Sequence, residues 1–246
     1  MVTFGGMTEF EHEVPKINKI TSRIVALTAG DALRGARLAY DVAIRMPADS
    51  PPVQAVVEAF SARYVESRSN QINSEIFQPR GIRMQDFYGG QQQRMLAPIA
   101  GTIDEQVISF NYQVEVLVAG ADDEGAHIWH ITNPGGSPND FRQIGFHAIG
   151  SGMIHALQSL IGFGHTGTHG LHETLFRVYA SKRRAEVAPG VGTDTDLAII
   201  LQDGITWVKP QIIDRLKECY LKIQRPEMAD IRKEVSQLEL FEKEGS

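Results

Sequence analysis

The chain has 246 residues, 42% of them hydrophobic and 22% charged, with a formal net charge of −6 and one cysteine. That length and apolar content suffice for one domain with a substantial core, and the acidic balance excludes nucleic acid as a general partner, because Lys and Arg are not in excess to neutralise phosphates. A single Cys219 excludes an internal disulfide framework and fits a reducing cytoplasm, where it is expected as a small buried hydrophobe.

No apolar run approaches the roughly 18 residues that a membrane span needs. The first thirty residues mix Glu11, Glu13, Lys16 and Lys19 with no basic start and apolar stretch, so secretion is not expected and a cytoplasmic location is. Residues 24–29 form a short buried strand of β-branched and small residues, and Asp31 then caps a helix through Leu33, Ala36, Leu38, Tyr40 and Ile44 to Arg45, ended by Pro47. Ser50-Pro51-Pro52 reads as a capping serine before prolines at the first helical positions, followed by Val53, Val56, Val57, Phe60 and Tyr64 at helical spacing as far as Ser69. Residues 72–101 are less regular, with Gly89-Gly90 and three consecutive glutamines.

Residues 113–119 and 127–132 predict a strand pair around Asp122-Asp123-Glu124-Gly125, with glycine where the turn needs positive φ. After Gly152 a helix carries Met153, Ala156, Leu157, Leu160 and Ile161 on one face; another spans 171–186, and residues 197–208 read as a closing hairpin around Asp203-Gly204. From Pro226 the composition turns to charge, and Ile231, Val235, Leu238 and Phe241 make a narrow apolar stripe on a helix that either packs back on its own domain or meets a neighbouring subunit. The pattern divides the chain into a domain at 1–225 and a charged amphipathic helix at 226–246. It also gives an α+β class in sequential blocks.

The most informative stretch is Gly150-Ser151-Gly152, between an expected strand and a helix. Its glycines allow a tight turn, and Ser151 then sits by the first helical turn, where unpaired N–H groups collect. Alone, such a turn is more often a flexible connection than a site. Two further runs stand upstream in order: Lys16-Ile17-Asn18-Lys19-Ile20 followed by Ala29-Gly30-Asp31, and 112–122 with Gly125-Ala126-His127-Ile128-Trp129 and Asn133-Pro134-Gly135 behind it.

Together these runs, covering about residues 14 to 205, resemble the proteasome family, bacterial β-type subunits in particular. The resemblance implies a four-layer αββα sandwich of the N-terminal-nucleophile hydrolase type and a threonine peptidase that degrades cytoplasmic proteins. It places Lys16 as the active-site lysine, with Lys19 as the alternative one register away, and Ser151 as the hydroxyl beside the nucleophile's amine. Oxyanion donors would be N–H groups at 28–30. Aligning on Gly190 sets Glu186 where the family has an aspartate and Pro189 where it has a serine, so that corner differs. A lysine beside a nucleophilic hydroxyl favours the alkoxide by its charge.

Family members carry their threonine, and an aspartate, on two strands ahead of the lysine. Only fifteen residues precede Lys16, and Thr3 and Thr8 stand too close to it, so the chain is expected to lack the first two strands and to be inactive in this form. The 73–95 region reads as an insertion decorating the surface. The implied partners are identical subunits in a ring-like oligomer, polypeptide substrates and a separate ATP-driven unfolding protein, since no G-x-x-x-x-G-K-[ST] run is present; no cofactor is implied.

Three other features carry alternatives. His165, His169, His172 and Glu173 in a glycine-rich run invite a metal reading against one in which the histidines face solvent, and the spacing is not His-Glu-x-x-His. Gly162, Gly164 and Gly167 spell G-x-G-x-x-G, but a helix precedes them where a dinucleotide site needs a strand. Lys182-Arg183-Arg184 reads as a solvated helix face. The rival to a peptidase is a non-catalytic ring or scaffold protein of the same fold, supported by the missing threonine and by Pro189.

Overall fold

The computed structural model describes residues 2–4, 8–10, 16–47 and 51–224. Strands β1 (Val2–Phe4) and β2 (Thr8–Phe10) pair antiparallel by themselves. A five-stranded antiparallel sheet runs β3 (Ile17–Lys19), β4 (Ile24–Gly30), β5 (Val114–Asp122), β6 (Gly125–Ile131) and β7 (Asn139–Asp140) in spatial order. Helices α1 (Ala32–Ala43) and α2 (Val53–Ile72) follow β4 and pack on one face of that sheet.

Alternation along the strands builds this face. Ile24 and Ala26 on β4, Val114, Val116 and Val118 on β5, and Ile131 on β6 meet Leu38, Ala39 and Val42 of α1 and Val53, Val56, Val57, Phe60 and Tyr64 of α2 in one buried cluster. Each fully buried large side chain contributes roughly 1.5–3 kcal/mol. The Tyr64 hydroxyl donates to the Val114 carbonyl at 2.8 Å, so its one polar atom is satisfied within the core. Asp31 caps α1, its Oδ1 accepting from the Leu33 and Arg34 amides at 3.1 and 3.0 Å.

The start of α2 differs from its sequence reading. Ser50 lies outside the described residues, and both prolines precede the helix, with Pro52 at the N-cap making no side-chain hydrogen bond. The cap comes from Asp122 at the far end of β5, whose Oδ2 accepts the Val53 amide at 2.9 Å. A proline offers no hydroxyl, so the orphan N–H is satisfied from across the sheet.

Residues 73–109 are more than surface decoration. A π-helical turn (Asn73–Phe77) extends α2; a 3₁₀ turn (Gln78–Arg80), α3 (Met84–Tyr88), a second 3₁₀ turn (Gln91–Arg94) and α4 (Ala97–Ser109) follow. Ile72, Ile76, Phe77, Phe87 and Ile103 form a core of their own, the two phenylalanine rings 5.4 Å apart. Arg68 anchors this unit to the sheet region, donating to the Val107 and Phe110 carbonyls at 3.2 and 3.1 Å and to Asn133 Oδ1 at 3.1 Å.

After the main sheet come α5 (Met153–Gly162), α6 (Leu171–Ala185), an antiparallel hairpin of β8 (Ala198–Leu201) and β9 (Gly204–Trp207), and α7 (Pro210–Gln224). Helix α5 packs on α6, α6 on α7, and β8 approaches β5. A third cluster joins Tyr179, Ala180, Leu197 and Tyr220. Cys219 is exposed on α7, contrary to expectation, because its neighbour Tyr220 takes the inward position. Residues Ile231, Val235, Leu238 and Phe241, with the rest of 226–246, lie outside the described residues. The architecture is mixed helix and antiparallel sheet, in agreement with an α+β class. Among the described residues no helix is long and apolar enough to cross a membrane.

Candidate functional site

The Gly150-Ser151-Gly152 turn is wedged between two elements distant in sequence. Gly150 has φ +84°, a region that L side chains rarely adopt, and a Cβ placed on it would stand 3.1 Å from the Ala29 Cβ near the end of β4. On its other side, a Cβ on Gly152 would stand 2.8 Å from the Ala185 Cβ at the end of α6 and 3.1 Å from Val191. Glycines are thus required here by close approach on both flanks.

Lys16 immediately precedes β3, and its carbonyl accepts the Thr28 amide at 3.2 Å, which sets it across the ladder from the residue before Ala29. Glu186 is the C-cap of α6, next to Ala185. The fold therefore brings the stretches carrying Ser151 and Glu186 together through Gly152–Ala185 and sets Ala29 against Gly150, while Lys16 is linked to this place only through its ladder bond to Thr28. Lys16 and Ser151 have exposed side chains; Lys19, opposite Val25, is exposed as well.

Two expectations about these residues need revision. Of the amides at 28–30, that of Thr28 is engaged by the Lys16 carbonyl, so it is not a free oxyanion donor; the following Asp31 amide is likewise engaged, by the Gln113 carbonyl at 2.7 Å. Glu186 is an anchor: its Oε1 accepts Lys182 Nζ at 2.7 Å and Arg183 Nη1 at 3.0 Å, and its Oε2 lies 2.9 Å from Arg183 Nη1. Lys182 spends its remaining donors on the Gly192 and Thr193 carbonyls, both at 2.9 Å, tying the loop after Pro189 to α6. Burial holds the Lys182 ammonium below its usual range, against the pull of Glu186. The basic run at 182–184 is accordingly a paired and packed one, with Arg184 over the Phe163 ring at 4.8 Å from its centroid.

Sequence reasoning passed over the groups beneath the turn. Glu115 Oε2 accepts the Gly150 amide at 2.9 Å. Register sets Glu115 opposite Ala29, and on the same face Leu117 opposite His130, so this side of β5 carries a half-buried carboxylate and its β6 neighbour a buried imidazole. His130 Nδ1 lies 3.2 Å from His147 Nε2, and the Phe141 ring stacks on His147 with centroids 3.8 Å apart. Burial lowers the affinity of both imidazoles for protons, His130 further lowers that of His147, and Glu115 opposes the shift in each. The signal lay in the alternation: Glu115 interrupts Val114, Val116 and Val118 on a strand whose other side is fully packed.

The histidine-rich connection is less exposed than expected. His165 is 6% exposed and faces Phe146 and His169, whereas His172 is exposed; His169 Nδ1 receives the Thr166 amide at 3.1 Å. Among the described residues no group of three or more His, Cys, Asp or Glu is placed to hold a metal ion. A groove of about 190 Å³ lies between α1 and α2, lined by Val42, Met46, Ala59 and Arg63, on the other face of the main sheet. No protein-family model matches the chain, and no curated protein sequence matches it.

Proposed function

We propose that this chain is a proteasome-like subunit of the N-terminal-nucleophile hydrolase class, built on the αββα sandwich and made for hydrolysis of peptide bonds in polypeptide substrates. The observation that carries this reading is a contact between stretches far apart in sequence: the Ala29-Gly30 end of β4, hairpin partner of the lysine strand, lies against the Gly-Ser-Gly turn, where a Cβ on Gly150 would stand 3.1 Å from that of Ala29. In this reading the nucleophile is an N-terminal threonine that no residue of this sequence matches, so the chain in this form is inactive; with that threonine its hydroxyl would attack the scissile carbonyl, its proton would pass through the threonine's own amine to the leaving amine as the C–N bond breaks, and water would hydrolyse the acyl-enzyme. Lys16 supplies the positive charge that favours the alkoxide, and Ser151 orients the amine. The subunit works in a ring of identical copies fed by a separate ATP-driven unfolding protein.

A second reading, a non-catalytic ring or scaffold subunit of the same fold, is favoured by one corner of the site: Pro189 has no hydroxyl, and Glu186 is committed to Lys182 and Arg183. N-terminal sequencing of the protein isolated from its own cells separates the two. A threonine at the mature N-terminus, with cleavage of fluorogenic peptides abolished by Lys16→Ala, is the expected result. No threonine there and no cleavage would favour the scaffold.

A further inference from the structure

We propose that Glu115 is the positioning residue for Ser151, and that the His130–His147 pair places this positioning under proton control. The proposal rests on the peptidase reading only for the use to which Ser151 is put. Glu115 reaches the turn through the Gly150 amide at 2.9 Å, one residue before Ser151. A carboxylate acceptor is about twice as strong as a neutral one, so this bond fixes the plane of the Ile149–Gly150 peptide, one residue before Ser151.

The imidazole pair lies on the same side of the sheet. Between two neutral rings 3.2 Å apart, one N–H donates to the other's lone pair. A proton on the acceptor nitrogen removes that lone pair, leaving two donors facing each other, and the bond is lost. His130 Nε2 has no partner in its buried position, so no second bond holds that ring when the first fails. His147 belongs to the segment that runs from Phe141 into Gly150, and Phe141 stacks on it. Releasing the pair therefore loosens the chain that enters the turn.

Glu115 from β5 is the charged group that acts on both rings, and His130 from β6 acts beside it on His147. Acid, by breaking the His130–His147 bond, frees the turn and Ser151 from the position that neutral pH imposes.

The test uses the isotopically labelled chain and amide hydrogen exchange from about pH 8 to about pH 5, the span of histidine titration. At the upper end Glu115→Ala is expected to speed Gly150 exchange about tenfold relative to the unaltered chain, and Glu115→Gln, which keeps an oxygen acceptor, to restore most of the protection. On acidification, protection at Gly150 should fall in step with the His130 and His147 ring signals. In His147→Phe, which keeps the stack on Phe141, it should stay flat. The Val53 amide, on the other face of the sheet, reports whether each variant is folded. Equal Gly150 exchange in the unaltered chain and Glu115→Ala would overturn the positioning role; an unchanged pH dependence in His147→Phe would overturn proton control. Neither measurement uses peptide cleavage, so a chain that proves not to be a peptidase leaves both results standing.

Discussion

The two faces of the main sheet are made from the same strands and differ in almost everything else. Toward α1 and α2, alternate residues Ile24, Ala26, Val116, Val118 and Ile131 are sealed to 0% exposure under Phe60 and Tyr64. On the opposite side the intervening positions include Ala29, Glu115 and His130, and the covering comes from a glycine turn, the 141–150 segment and the edge of β8. A densely interlocked apolar face supplies rigidity, which frees the other face to carry polar groups at some cost in stability. The polar groups by the turn sit on the second face, where Glu115 is half-buried and holds the Gly150 amide and His130 meets His147.

The sharpest way to break this comparison is to remove one large side chain from each region. Phe60→Ala is expected to cost about 3–5 kcal/mol, since its surroundings are closed on all sides, whereas Leu197→Ala in the smaller cluster with Tyr179 and Tyr220 should cost about 2–3 kcal/mol. Urea unfolding of the two variants measures both; equal losses would show that the two regions are packed alike.

Next in size is the cap that reaches across the sheet. Asp122→Ala removes the acceptor for the Val53 and Glu124 amides and for His127, and about 1–3 kcal/mol should be lost, with exchange at the first turn of α2 accelerated. If α2 frays no faster in that variant, the long-range cap is not what holds its start.

Acid should separate the faces. Burial raises the Asp122 and Asp41 carboxyls, but bonds from the Val53 amide and His127 in one case, and from Arg63 in the other, outweigh it and hold both below their ordinary value of 3.8. A lowered carboxyl stabilises the fold above its ordinary value and loses that contribution as pH falls through the native value. His130 and His147, lowered by burial from 6.5, bind protons more readily in the unfolded chain, so their neutral packing is fully favourable above 6.5 and is lost as pH falls from there through the native values. Amides around Gly150 should therefore lose protection below about pH 6.5, while those of α2 hold until below about pH 3.8. Simultaneous loss would show one cooperative unit.

Smaller again is Lys182→Met, which removes an ammonium bonded to Glu186, Gly192 and Thr193 and should destabilise by about 1–2 kcal/mol, mostly as faster exchange across 190–196. At the low end, Arg215→Ala breaks an exposed i,i+3 pair with Glu218 on α7 and should change the unfolding free energy measured in urea by no more than about 0.5 kcal/mol.

Much of the fold was legible locally. Asp31 and the spacing of Leu38 and Val42 announced α1; Val53, Val56, Phe60 and Tyr64 announced α2; Gly125, at φ +116°, marked the hairpin between β5 and β6; and α5, α6 and the β8–β9 hairpin fall where the pattern put them. Two stretches were not legible. In 73–94 the elements are short and irregular, and Phe77 and Phe87 acquire partners only when the chain doubles back. Helix α7 begins at Pro210, and its buried Tyr220 is defined by Tyr179 on α6.

What the sequence determined by itself is what repeats within a few residues: helical and strand periods, caps adjacent to their helices, and turns whose backbone needs glycine. These depend on hydrogen bonds and steric limits along the chain. Only the tertiary structure decided what is held by atoms far apart in sequence: that Asp122 rather than a serine caps α2, that Glu115 holds the Gly150 amide, and that His130 meets His147. A side chain's charge, partners and proton affinity are set by what surrounds it in space, and around the Gly150–Gly152 turn those surroundings come from β4, β5 and the end of α6, which the order of residues alone does not bring together.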